Sequence, residues 1–363
     1  MSESYMLLRP QVITTTGYNR SLLIDLGKGS YFFIPNSLAE FIRENNKKKI
    51  NAIFLEYPVD DRAVVQEYLD WLLTQGLAIT CASTAFINNI SKVAFNWDSP
   101  FEITNCILEL STANFDYFGQ IIKELAACRV PFLELRVFEH LDFELLYKAL
   151  EIVQESDLKH VRLIVKYTGD LNIKKIRKAF QYFTILSSID IFSAGLDKSF
   201  TIHDGTTAVN YRTEHLSNCS CGKFGINYFS PNMEFYSESR AYNSCLNRKV
   251  AIDANGAIKN CPSLSQSYGN IQTVSLTEVL AMKGFQDLWG LNKEKIKVCR
   301  DCEFRDICTD CRAYLQDPRD VFSKPLKCGY DPYSCEWKDW SKNPLSQKSI
   351  EYYNLQELNS SII

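Results

Sequence analysis

Cys299-Arg300-Asp301-Cys302-Glu303-Phe304-Arg305-Asp306-Ile307-Cys308-Thr309-Asp310-Cys311 is the densest run of chemistry in the chain. It holds two C-x2-C pairs, each short enough for one turn to aim both sulfurs at a single centre. Cys328 follows, and Cys245-x15-Cys261 precedes. Between Cys245 and Cys261, Asn255-Gly256 separates the apolar runs Val250–Asp253 and Ala257–Lys259. That dipeptide predicts a hairpin with a type I′ turn, because both central positions then need positive φ. Such a hairpin draws Cys245 and Cys261 together.

Clustered cysteines mean disulfides, zinc or iron–sulfur ligation. The chain opens Met1-Ser2-Glu3-Ser4 without an apolar signal region. A cytoplasmic protein is therefore expected. Thirteen cysteines in such a chain read as metal ligands or buried hydrophobes before they read as disulfides. Zinc ribbons share the C-x2-C pair, so spacing alone does not separate zinc from iron. Seven thiols in this region are one short of two complete four-ligand sites.

The stretch from Ser244 to Pro332 resembles a SPASM domain, the C-terminal extension of many peptide-modifying radical SAM enzymes. That family's pattern is matched at Cys245, Gly256, Cys261, Cys299, Cys302, Cys308 and Cys328. It is broken once, where two residues rather than three separate Cys308 from Cys311. Gly269-Asn270-Ile271 also resembles the family, as does a helix opening at Ser275. Ser275 and Glu278 make a capping box there, and Val279, Leu280, Phe285, Leu288 and Trp289 share a face. The resemblance implies two auxiliary [4Fe-4S] clusters. Cys299, Cys302, Cys308 and Cys328 hold one in that reading. Cys245, Cys261 and Cys311 hold the other, with Cys219, Cys221 or Cys335 as its fourth ligand, or an open position. Zinc is the alternative metal.

Upstream, strand-like runs at Cys106–Leu110, Phe132–Phe138, His160–Tyr167 and Ile189–Ser193 alternate with helical patterns. Phe115, Phe118, Ile122 and Leu125 set the first helix, Phe143, Leu146, Leu150 and Val153 the second, and Ile173, Ile176, Phe180 and Phe183 the third. The alternation predicts a parallel sheet in an α/β fold. A full (β/α)8 barrel needs about 200 residues or more. The segment between Phe101 and Pro231 is shorter, so a partial, degenerate radical-SAM-like barrel is expected.

Two features of radical SAM enzymes are missing. The cluster triplet C-x3-C-x2-C does not occur, and Cys81, Cys106 and Cys128 are the only cysteines before position 200. Cys106 and Cys128 read as buried apolar residues. Val137-Phe138-Glu139-His140 stands where the family carries a glycine-rich segment for SAM. No SAM-binding residue is assigned.

Ser21–Leu26 and Ser30–Ile34 are strand-like, joined by Gly27-Lys28-Gly29. Pro35-Asn36-Ser37 opens a helix through Leu38, Phe41 and Ile42. A second carries Val65, Tyr68, Leu69 and Leu72 and ends at Gly76, before a short strand Ala78–Thr80. This layout is similar to the winged-helix-like, PqqD-like domains that bind a leader peptide as an added strand. Leu22, Ile24 and Phe32 are the candidate peptide-binding residues. The domains expected are 1–91 for peptide recognition, 96–236 for the degenerate barrel, 237–340 for the SPASM iron–sulfur domain, and 341–363 for a tail that is a short helix or disordered.

The order of parts resembles the SPASM-domain maturase of grasp-with-spasm ribosomal-peptide systems. Asn19-Arg20-Ser21 and Lys324-Pro325-Leu326-Lys327-Cys328-Gly329-Tyr330 add to it. The resemblance implies maturation of a ribosomal precursor peptide with an ATP-grasp ligase as partner. The alternatives are an iron–sulfur enzyme acting on the peptide directly and a zinc-stabilised interaction protein. A net charge of −3 argues against general nucleic-acid binding, and no run is long enough to span a membrane. No triad, phosphate loop or H-E-x-x-H motif occurs, and the four histidines are scattered, so no residue is assigned as catalytic.

Overall fold

A computed structural model describes residues 4–90 and 95–356, with the backbone alone at Asn218. The expected boundary between the first two domains falls on 91–94, and the end of the tail on 357–363. Both lie outside the described residues.

The N-terminal part contains β1 (Tyr5–Leu8), β2 (Val12–Thr16), β3 (Ser21–Asp25), β4 (Ser30–Ile34), α1 (Asn36–Asn45), α2 (Ile50–Glu56), α3 (Arg62–Thr74), β5 (Ala78–Cys81) and α4 (Thr84–Asn89). β2, β3 and β4 form an antiparallel meander, and β1 pairs with β5. Met6, Leu23, Ile34, Phe41, Ile53, Leu69 and Leu72 close one core. Gly76 takes φ +65°, as a left-handed helix cap requires. The sequence pattern did not anticipate α2, a seven-residue helix with a single buried residue, Ile53. Nor did it anticipate the position of β3, which lies in the middle of the meander and is buried along its whole length.

The middle part runs β6 (Asn105–Glu109), α5 (Phe118–Ala127), β7 (Phe132–Val137), α6 (Phe143–Gln154), β8 (His160–Lys166), α7 (Ile173–Ala179), β9 (Leu186–Phe192), β10 (Lys198–Ile202) and β11 (Thr207–Tyr211). α8 (Met233–Ala241), β12 (Lys249–Ile252), β13 (Ile258–Lys259), α9 (Leu276–Ala281), β14 (Tyr330–Asp331), β15 (Glu336–Trp337) and α10 (Gln347–Tyr352) follow. The main sheet has the order β10-β11-β9-β8-β7-β6-β12-β13. β6 to β9 are mutually parallel, as the alternating pattern predicts. The sheet is open, since β10 and β13 are its two ends.

Its unanticipated neighbour is β12. Lys249 pairs with Asn105 and Ile252 with Leu108, so the cysteine-flanked hairpin extends the parallel sheet. One core joins Leu108, Leu135, Leu163 and Ile189 of the sheet to Phe118, Leu150 and Phe180, and on to Ile258, Val279 and Phe285. Ile350 of α10 and Leu355 are buried in the same core. Among the described residues no helix is long and apolar enough to cross a membrane.

The hairpin turn differs from the expected type I′. Gly256 has φ +81°, but Asn255 is not among the positive-φ residues. The Asp253 carboxylate instead accepts from the backbone N–H groups of Asn255 and Ala257, both at 3.0 Å, and organises a longer loop. That loop meets the end of β6. Ser111 donates its hydroxyl to the Ala254 carbonyl. Asn114 accepts from the Ser111 N–H at 2.9 Å and donates to the Glu109 carbonyl at 2.7 Å. Asn114 is completely buried, so Asn114→Ala leaves backbone groups without partners. A loss of about 1–3 kcal/mol is expected, read as a lower denaturant midpoint.

Candidate metal centre

All thirteen cysteines are free thiols, and they fall into distinct surroundings. Cys106 is buried in the β6 core, where burial and then Cys128 push its thiol up. Cys128 is only half-buried and lies 3.9 Å from the Thr277 hydroxyl, so it is not the core residue its pattern predicts. Cys335 sits against the Pro332 carbonyl.

The first group is Cys299, Cys302, Cys308 and Cys328. Val298, at φ +67°, delivers the chain into a tight turn, and the Cys302 N–H closes on the Cys299 carbonyl at 3.0 Å. A β-branched residue at positive φ is strained, and the surrounding structure must hold it there. Lys293 is 6% exposed, and its ammonium lies 3.3 Å from the Cys308 sulfur. Burial opposes the Lys293 charge, but Cys308, Cys299, Asp310 and Cys328 outweigh it and hold the lysine charged. Burial also pushes the Cys299 thiol up to about 12, with Lys293 pulling the other way and Cys328 and Cys308 adding to the rise. Cys302 is held well above its ordinary value by burial and then by Cys299. These mutual influences place the four sulfurs in one electrostatic neighbourhood.

The N-terminal part braces this group. Arg20 donates to Glu303 at 2.7 Å, and the Tyr330 hydroxyl donates to the same carboxylate oxygen. Thr15 donates to Asp306 at 2.6 Å, and Arg305 to the Thr16 carbonyl at 2.6 Å. The Tyr18 N–H bonds the Asp301 carbonyl at 2.8 Å. Leu22 and Ile24 pack on Phe304, Ile307, Cys308 and Tyr330. Those two side chains, expected to meet a peptide, are therefore 0% exposed and cover the cysteine knuckle instead. Phe32 is half-buried against Trp71.

The second group is Cys221, Cys245, Cys261 and Cys311. Lys249 of β12 points its ammonium at the Cys245 sulfur, 3.7 Å away. Arg136 of β7 lies 3.5 Å from the Cys221 sulfur and is 6% exposed. Burial pushes Cys311 up to about 12, with Cys245 and then Cys261 adding to the rise. Cys261 is pushed up to about 11 by burial and then Cys245, against the pull of Lys249. Lys327 donates to the Cys221 carbonyl at 2.7 Å and also to the Cys219 carbonyl, and so pins that loop. Cys219 bonds the Tyr314 side chain. A Cβ on Gly222 would come within 3.0 Å of the Cys311 sulfur, so the loop backbone is pressed against that thiol.

Among the described residues no three His, Cys, Asp or Glu side chains close to the spacing that holds a single metal ion. The residues nevertheless fit thiolate-bound clusters. Arg136 keeps a buried guanidinium N–H, at Nη1, with no acceptor. An orphaned buried donor costs about 1–3 kcal/mol, and an anionic, sulfur-rich centre beside Cys221 satisfies it. Charged lysines against buried sulfur suit the same group. Burial raises these thiols, and ligation needs thiolates, so metal uptake displaces protons and strengthens as pH rises.

Sequence reasoning missed Arg136, Lys249, Lys293 and Lys327. One signal was available: Glu134 and Arg136 alternate with Leu133, Leu135 and Val137, which marks a polar sheet face. On that face Glu134 pairs with Arg136 at 2.6 Å and Arg162 at 3.4 Å, and Arg162 reaches Asp190 at 2.8 Å.

Comparison with known proteins bears on this region directly. Residues 244–303 match the family model SPASM, described as an iron-sulfur cluster-binding domain. Three solved structures, all of Streptococcus suis SuiB, are similar at low identity. SuiB bound to S-adenosylmethionine is 12% identical with a TM-score of 0.35. SuiB alone is 13% identical with a TM-score of 0.33. SuiB bound to the precursor peptide SuiA is 13% identical with a TM-score of 0.32. Each comparison covers 88% of this chain and 98% of SuiB. No curated protein matches the chain.

Gly222→Ala tests the packing of the second group. The φ of +74° is unfavourable for any residue with a Cβ by about 1–2 kcal/mol, and the new methyl presses on Cys311. Lower stability and faster labelling of Cys311 by a thiol reagent are the expected results.

Proposed function

We propose that this chain is a maturation protein for a ribosomally made precursor peptide, that it holds two [4Fe-4S] clusters, and that it works with an ATP-grasp ligase. The observation that carries the reading is the pair of separate thiol groups, each faced by a buried or half-buried cation, with Cys245 and Cys261 of one and Cys299 and Cys302 of the other inside the stretch that matches an iron–sulfur family. Cys299, Cys302, Cys308 and Cys328 hold one cluster. Cys245, Cys261, Cys311 and Cys221 hold the other. Cys221 is preferred to Cys219 because its sulfur faces Arg136 and bears on Cys261 and Lys249, whereas Cys219 is engaged by Tyr314. Such clusters supply one-electron redox chemistry, or brace a loop-rich domain through their binding energy. In this reading SAM has no part in the chain's chemistry, and the missing C-x3-C-x2-C triplet supports it.

The residues of the chain itself position the parts. Arg20, Thr15 and Arg305 lock the N-terminal meander onto the first cysteine group. With Leu22 and Ile24 covered, the surface that suits a peptide is the outer edge of β4, one of the two edges of the meander, where Phe33 is exposed beside Arg20. An added strand there gains main-chain hydrogen bonds, while Phe33 and Tyr31 select its side chains.

Anaerobically reconstituted chain should carry about eight iron atoms with matching sulfide. Cys299→Ser and Cys221→Ser should each lose about half of it, and Cys219→Ser should lose none. Stoichiometric zinc without sulfide rejects the iron reading in favour of a zinc-stabilised interaction protein. For the peptide, a labelled candidate precursor peptide is titrated against the full chain and against Phe33→Pro. The proline removes an edge donor and should weaken binding at least tenfold. Equal affinity for both chains places recognition elsewhere.

A further inference from the structure

We propose that the two centres differ in reduction potential, that the centre of Cys221, Cys245, Cys261 and Cys311 is the more easily reduced, and that Arg136 and Lys249 set the difference. The inference rests on the cluster reading above and concerns what surrounds each site.

The two groups are not electrically alike. Around the second, Arg136 reaches the Cys221 sulfur and Lys249 the Cys245 sulfur. Lys327, 6% exposed, adds a third cation through the Cys219 and Cys221 carbonyls. The carboxylates beside them are Glu134, which is shared between Arg136 and Arg162, and buried Glu109, the cross-strand neighbour of Arg136. Around the first group, Lys293 alone among the described residues has its cation at a sulfur. Two buried carboxylates stand next to it, Glu303 and Asp310. Their own cations, Arg20 and Arg312, are 2.7 Å away from them and are used in those pairs.

Reduction adds one electron, and so one negative charge, to a buried centre, with no bond made or broken. Net charge and hydrogen bonds to sulfur are the protein's main means of setting that equilibrium. Cations that donate to the ligand sulfurs favour the reduced state, and nearby carboxylates oppose it. The arrangement also has a direction. Arg136 and Lys249 come from β7 and β12, the two strands flanking β6. The second centre therefore borders the polar face of the sheet, while the first is capped by Leu22 and Ile24 of the N-terminal part. An electron on this pair therefore rests next to the sheet rather than under the meander.

The test is a dithionite titration of the anaerobically reconstituted full chain with redox mediators, followed by electron paramagnetic resonance, with iron and sulfide counted in every sample. Two resolved midpoints are expected. Arg136→Gln and Lys249→Gln should each lower the higher midpoint and leave the lower one in place. Lys293→Gln should lower only the other. Arg136→Lys, which keeps the charge, should recover most of the shift. If Arg136→Gln fails to retain iron, Lys249→Gln, at a half-buried side chain, carries the same comparison. Full iron with unmoved midpoints, equal movement of both centres, or an Arg136→Lys shift as large as that of Arg136→Gln overturns the proposal alone. A wild-type chain that takes up no iron and sulfide overturns the cluster reading, and this proposal with it.

Discussion

Sulfur buried as deeply as in Cys261, Cys299, Cys308 and Cys311 cannot ionise unaided, and much of the chain is built around that constraint. A buried thiolate needs a cation or a metal beside it. Lys293, Lys249 and Arg136 supply the cation, and each is drawn from a different element: a turn after the α9 region, strand β12 and strand β7. Each cation is itself costly to bury, so the lysines and thiols are stable only as sets. This mutual dependence ties together a segment with little regular structure. The cysteine region holds the main sheet on one side and the N-terminal meander on the other.

The two joints differ in kind. The joint to the sheet is made by backbone pairing, since β12 adds to β6 in parallel and carries Cys245 and Cys261 at the ends of its hairpin. The joint to the meander is made by side chains. The Arg20–Glu303 pair, the Thr15–Asp306 bond and the aromatic contacts of Phe304 with Tyr31, Phe33 and Tyr330 meet at one seam. Gly17 is needed there, because a Cβ would stand 2.6 Å from the Arg20 carbonyl and 2.8 Å from the Glu303 nitrogen. Displacing the meander therefore also disturbs the first cysteine turn. The β4 edge and the Cys299–Cys308 turn are joined through the contacts of Phe33 with Phe304 and Arg20.

What was legible in the sequence was local. The parallel strands β6 to β9 are short apolar runs with helical patterns between them, and the structure has them within a few residues of the expected ends. The Ser275–Glu278 capping box forms as its spacing predicts. The helix it opens ends at Ala281, and Phe285 and Trp289 reach the core from later turns instead. What was not legible depends on contacts remote in sequence. Pairing of Lys249 with Asn105 leaves no local trace, nor does the approach of Arg136 to Cys221. β10 and β11 went unseen because Lys198–Ile202 and Thr207–Tyr211 are short runs that mix polar and apolar residues, joined through His203 and Asp204, both at positive φ.

The reading of Leu22 and Ile24 shows where the sequence did contain the answer. A strand that offers an edge and one face to a peptide should alternate apolar with polar residues. Ser21-Leu22-Leu23-Ile24-Asp25 does not alternate, and a continuous apolar run is the mark of a strand covered on both faces. Leu23 faces the helices of its own core, while Leu22 and Ile24 face the cysteine region. The next strand, Ser30-Tyr31-Phe32-Phe33-Ile34, has the character of an edge: Phe33 is open, Phe32 packs on Trp71, and the outer backbone faces away from β3. Burial on both faces thus takes Leu22 and Ile24 out of reach of a peptide and turns two expected recognition residues into the contact that ties the N-terminal meander to the cysteine region.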